Sequence, residues 1–109
     1  MQATESKPVI LANASQTVGI GVVVSFGPKN LLGRTKLKGN LNASTVAALV
    51  RVLQSRDGVT TDLVMGVGQD PTQAGFQYPI DLEIVLPYVT VEFTGGAAQA
   101  TLRSFIQAF

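Results

Sequence analysis

The side chains able to do acid–base or metal chemistry in this chain are its seven carboxylates, Glu5, Asp57, Asp62, Asp70, Asp81, Glu83 and Glu92, because the sequence holds neither histidine nor cysteine. That removes the commonest general base, the Ser/His and Cys/His nucleophile pairs, thiolate zinc sites and most transition-metal ligation. Two carboxyls about 5 to 10 Å apart across a cleft would suit glycoside hydrolysis. Asp81 and Glu83 stand two apart in an alternating run and so project from one strand face roughly 7 Å apart. Ile80, Leu82 and Ile84 point the other way, which places the acidic pair on a solvated outer face. Calcium would draw on Asp57, Asp62 and Asp70, but they lack the Asp-x-Asp-x-Asp-Gly spacing of a single loop. Gly19-Ile20-Gly21 and Gly66-Val67-Gly68 lack the following helix of a phosphate-cradling loop and read as glycines in strands or bends. The expectation is no catalytic residue, no metal and no cofactor.

The basic residues make a pattern of their own. In PKNLLGRTKLKGN, Arg34, Lys36 and Lys38 alternate, with Lys29 upstream. They form a stripe that either blunts an edge strand or docks onto an acidic protein surface. Nucleic acid is not the expected partner, since the net charge is +1 and no aromatic lies within the stripe for base stacking. In QSRDGVTTD, residues Gln54 to Asp62, an Asp-Gly pair separates two apolar runs. Asp-Gly is a strong signal for a type I′ hairpin, whose two central residues both need φ > 0, and Gln54, Ser55, Thr60 and Thr61 suit a solvated tip. Asn13-Ala14-Ser15 and Asn42-Ala43-Ser44 match the glycosylation sequon, which carries no weight without a signal peptide.

These groups are positioned by elements of period two. Val18, Ile20, Val22, Val24 and Phe26 share one face of a run to Phe26; Ala48, Val50 and Val52 share another; Ile80, Leu82, Ile84 and Leu86 a third; Val89, Val91 and Phe93 a fourth. Such alternation predicts strands with one buried face. Further strands are expected at Pro8 to Leu11, Arg34 to Gly39, Val59 to Val67 and Gln99 to Ala108, the last read as strand in preference to helix. Turns are expected at Gly27-Pro28-Lys29-Asn30, Gly39-Asn40, Asp57-Gly58, Gly68-Gln69-Asp70-Pro71 and Gly95-Gly96. Eight short strands with this punctuation predict an all-β, antiparallel β-sandwich.

At 109 residues the chain suits one domain, with residues 1–7 as a flexible arm and 8–109 as the sandwich. Hydrophobic residues make up 46% and charged residues only 14%, against about a quarter charged in ordinary globular chains. Much neutral surface fits a protein covered by partners. No apolar run reaches the roughly 18 residues of a membrane span, so a soluble protein is expected.

LVRVLQSRDGVTTD and LPYVTVEFTGGAAQATLRSFI together resemble small β-sandwich proteins of tailed-bacteriophage virions, over residues 34 to 106. The matching positions are Gln54, Ser55, Asp57 and Gly58, then Pro87, Tyr88, Val89 and Val91, then Thr94, Gly95, Gly96 and Ala97. Many such sequences place an aromatic residue soon after Asp-Gly, where this chain has Val59, Thr60 and Thr61. The resemblance implies a non-enzymatic capsid decoration (cement) protein with an eight-stranded jelly roll. Such a protein would sit on the capsid surface as a homo-oligomer, trimer or dimer, and clamp the major capsid protein of neighbouring capsomers. The residues expected to carry that contact are Gln2, Ala3, Thr4, Glu5 and Lys7 of the arm, the stripe Arg34, Lys36 and Lys38, and Phe109. An alternative is a carbohydrate-binding or adhesion module, for which Tyr78 and Tyr88, each next to a proline, are the stacking candidates. A head–tail connector or tail subunit is a third.

Overall fold

Val89, Val91 and Phe93 are buried while Tyr88, Thr90, Glu92 and Thr94 are only partly so: the period of the sequence is the period of burial. The structure, a computed structural model, describes residues 7–109. It is all-β, with β1 Val9–Val18, β2 Val23–Asn30, β3 Lys36–Ala43, β4 Leu49–Ser55, β5 Leu63–Gly66, β6 Phe76–Glu83, β7 Tyr88–Thr94 and β8 Ala100–Ala108. These make a front sheet of order β1-β8-β3-β6 and a back sheet of order β2-β7-β4-β5, antiparallel throughout. The antiparallel sandwich and the strand assignment of the last segment are as expected.

The pairing is nested. β1 pairs with β8, β2 with β7, β3 with β6 and β4 with β5, so the chain is one long hairpin of strand pairs wrapped on itself. Between the sheets lie Leu31, Leu37, Leu41, Val52, Val91, Phe93, Leu102 and Ile106, all essentially without exposure. Removing such side chains from water contributes about 1.5–3 kcal/mol each, and this drives the closure.

The differences from expectation fall at one change of sheet, within β2 and β3, and at strand ends. The run from Val18 to Phe26 is not one strand: β1 ends at Val18, Gly21 takes φ 67°, and β2 starts at Val23 in the other sheet. Ile20 and Val22, expected on the buried face, are therefore exposed at 68% and 49%. Gly27-Pro28-Lys29-Asn30 lies within β2, where the register shifts between Phe26 and Lys29. β2 is an edge strand, the one setting in which proline and a bulge cost little. Gly39-Asn40 is not a turn but the middle of β3. A Cβ on Gly39 would lie 2.1 Å from the Phe105 carbonyl oxygen, so the glycine serves close approach to β8. β1 runs beyond Leu11 to Val18, β3 begins at Lys36 and reaches Ala43, and β5 is four residues long. β3 is interior, between β8 and β6, so its lysines do not protect an edge.

Candidate functional site

The strand directions gather the loops at two ends. One, the arm end, holds Lys7, the 31–35 and 84–87 connections, the 55–62 loop and Phe109; the other, the glycine end, holds the 19–22, 44–48, 67–75 and 95–99 connections.

At the arm end the guanidinium of Arg34 donates from Nε (3.1 Å) and from Nη2 to the Lys7 carbonyl. The Thr35 and Lys36 amides donate to the Phe109 carbonyl at 3.0 and 3.1 Å, and the Phe109 amide donates to Lys36 at 2.8 Å. Lys7, Arg34, Lys36 and Phe109 are thus brought together, with the Phe109 side chain half exposed. Gln2, Ala3, Thr4 and Glu5 lie outside the described residues. The stripe is not uniformly basic, because β6 lays carboxylates beside it. Lys36 Nζ is 3.3 Å from Glu83 Oε1, and Lys38 faces Asp81 across the pair. An exposed ion pair contributes only about 0–1 kcal/mol, but it lowers the local positive potential. Asp81 and Glu83 stand on the outer face, as read from the sequence.

The Asp57-Gly58 stretch turns β4 into β5, but not as a type I′ hairpin. The last cross-strand pair is Gln54 with Leu63, and of the two central residues only Gly58 has positive φ. Asp57 organises the loop instead: Oδ1 accepts from the Val59 amide (2.8 Å), the Thr60 amide (2.9 Å) and the Ser55 hydroxyl (3.0 Å). Those donors, Thr60 first, then Val59 and Ser55, hold its carboxyl below the ordinary aspartate value. Asp62 accepts from the Arg56 amide at 3.0 Å. Asp70, in the 67–75 connection, accepts from the Thr72 hydroxyl (2.6 Å) and amide (3.0 Å), and these hold its carboxyl low. Each turn carboxylate is spent on its own loop. Among the described residues no three His, Cys, Asp or Glu side chains converge as metal ligands.

Tyr78, a sugar-stacking candidate from the sequence, is 4% exposed. Its ring meets Phe93 edge-on at 6.1 Å and 80°, and its hydroxyl accepts from the Ala47 amide at 2.7 Å. It shares the inward parity of Ile80 and joins the two sheets, so it offers no stacking surface. Tyr88 is half buried, with its ring over Gly58. Gln54, expected at a solvated tip, is fully buried; its Oε1 accepts from Val85 (2.9 Å) and Leu86 (3.2 Å), pinning the β6–β7 connection.

Two further surfaces are formed by residues distant in sequence. At the glycine end, Gly95 exchanges hydrogen bonds with Gly21 and Val22, and Gly96 lies against the Val46 carbonyl. Ile20 (68%), Val22 (49%) and Val46 (49%) are each exposed at this end. On the outer face of the front sheet an open-sided cleft of about 550 Å³ is lined by Asn13, Ser15, Asn40, Asn42, Arg103 and Phe105, among others. The register explains it: Asn13, Phe105 and Asn40 form one row, and Ser15, Arg103 and Asn42 the next. The alternation Arg103-x-Phe105 and Asn40-x-Asn42 was visible in the sequence, but the adjacency of three distant strands was not. The sequence matches no protein-family model, and neither curated proteins nor solved structures give a significant match.

Proposed function

We propose that this chain is a non-enzymatic structural protein of a tailed-phage virion, a decoration protein that binds the major capsid protein on the outside of the shell and stabilises it by bridging capsomers. One observation carries the reading: two surfaces suited to partners stand at opposite ends of one sandwich. The exposed apolar residues Ile20, Val22 and Val46 are at the glycine end; Lys7, Arg34, Lys36 and Phe109 are at the arm end. A ten-residue strand such as β1 spans about 30 Å, enough for the ends to rest on different subunits. The nested pairing fits an eight-stranded jelly roll, an architecture frequent in capsid and lectin domains. The absence of histidine and cysteine from the sequence favours a mechanical role over a catalytic one. Binding to the assembled shell stabilises it by mass action, and a dimer or trimer gains avidity from repeated weak contacts.

The test is to label particles from the source lysate with antibody and gold, and to sediment heads lacking the protein with purified chain. Even gold over heads and co-sedimentation are expected. Ile20→Lys combined with Val46→Lys, and separately deletion of residues 2–6, should each weaken binding about tenfold or more, a loss of roughly 1.4 kcal/mol. Gold confined to tails or a vertex would move the chain to a connector or tail role, and unlabelled particles would overturn the proposal.

A further inference from the structure

We propose that the cleft on the front sheet binds carboxylate-bearing sugars, the uronate or sialate units of a glycan chain. The inference goes beyond shell docking and holds on whatever surface the protein is mounted, because the residues lining the cleft are none of those at the two ends that docking uses.

Three asparagines, Asn13, Asn40 and Asn42, occupy positions within β1 and β3, although asparagine is among the residues least suited to strands. All three line one concavity. Among them is Phe105, 44% exposed between Asn13 and Asn40 in its row. A strand face with no ligand would favour Thr or Val at such sites, and a departure from local preference of this kind is expected where function competes with stability. The Gln77 side chain, donating to the Ala74 carbonyl at 3.1 Å, accepts from Asn40 Nδ2 at 2.9 Å. That sets the Asn40 amide in one orientation and leaves its carbonyl oxygen available.

Arg103 sets the charge of the ligand. Its cross-strand neighbours are Ser15 and Asn42, and the ion pairs among the described residues are Lys36–Glu83 and Arg51–Glu92. The carboxylates of this face, Asp81 and Glu83, stand nearer the arm end, opposite Lys38 and Lys36. Arg103 is therefore a guanidinium fork amid neutral amides and hydroxyls, suited to a carboxylate with two parallel hydrogen bonds. A pyranose presents an apolar C–H face and a hydroxyl edge. Phe105 meets the first, and amides that both donate and accept meet the second. The volume of about 550 Å³ is within the range of ligand sites, and the open sides admit a chain that continues beyond the cleft.

The test is titration of the full chain, followed by amide chemical shifts, with trigalacturonate, sialyllactose, lactose and polyglutamate. One acidic sugar or both should shift residues of the cleft with a Kd of about 1 mM or tighter, and lactose should bind about tenfold more weakly. Which acidic sugar binds assigns uronate or sialate. Arg103→Gln should erase the preference for acidic over neutral sugar, and Phe105→Thr should weaken both about tenfold. Asn42→Thr supplies a readout that a structural role would not give: a higher melting temperature together with weaker binding. No shift with either acidic sugar, equal affinity for polyglutamate, or binding indifferent to all three substitutions would overturn the proposal.

Discussion

Asp57 shows how a residue with the chemistry of a site is used by a turn. Its carboxylate accepts from Val59, Thr60 and Ser55, and donors to the charged form lower a pKa. The folded value is thus depressed below that of the unfolded chain. A depressed acid contributes stability at any pH above its unfolded value and loses it as pH falls through the folded one. Acid should therefore loosen the 55–62 loop, and Asp57→Asn, which keeps an acceptor oxygen but cannot titrate, should flatten that dependence. The check is a carbon-13 titration of the Asp57 carboxyl beside that of a peptide spanning Gln54 to Asp62. Coincident midpoints would show that the loop does not hold the carboxylate. Tyr78 teaches the complementary lesson: two residues from Ile80, it carries the inward parity on its face, and its burial was legible from the alternation that placed Asp81 and Glu83 outside. Gln54 was not legible, because its partners Val85 and Leu86 are about thirty residues away and meet it only once the strands have paired.

Among the elements, β4, β6, β7 and β8 were readable because each buries one face and wets the other, so composition alternates with the pleat. β1 was half readable. As an edge strand it carries Asn13, Ala14, Ser15, Gln16 and Thr17, a run with no apolar period to find. The break after Val18 was hidden for a different reason: Gly-Ile-Gly keeps the alternation whether the chain continues or turns. Glycine beside asparagine ordinarily marks a turn, whereas Gly39 lets β3 approach β8. A Cβ would meet the Phe105 carbonyl oxygen at 2.1 Å and Ile106 Cα at 2.7 Å, backbone atoms that cannot move without parting the two strands. Gly39→Ala should destabilise the fold by roughly 3 kcal/mol, at the upper end of ordinary overpacking. Gly68→Ala, where a Cβ meets nothing within 4 Å, should be neutral or stabilising by about 0.5 kcal/mol. Equal denaturation midpoints for the two variants would sink the close-approach account.

For the whole molecule, the open edges decide how copies can associate. β2 carries Pro28 and a register shift, β6 carries Pro79, and β5 has four residues, each a device that discourages strand addition. β1 is bulged between Ile10 and Ala12 but otherwise uninterrupted. With three edges blunted, face-to-face association is favoured, and the back sheet offers the apolar surface for it. Val23, Thr94 and Leu49 form one outward row and Thr90, Leu53 and Val64 another, on either side of the Arg51–Glu92 pair at 2.6 Å. Leu49 and Val64 are 48% and 50% exposed, so lysine at both should cost the monomer little, while placing like charges in an interface between two copies costs several kcal/mol. Sedimentation of the wild-type chain at micromolar concentration should give a dimer or trimer, and Leu49→Lys with Val64→Lys should give a monomer of unchanged melting temperature. If the mass survives those substitutions but falls when a proline is placed in β1 at Gln16, the copies join through the β1 edge and the face model fails.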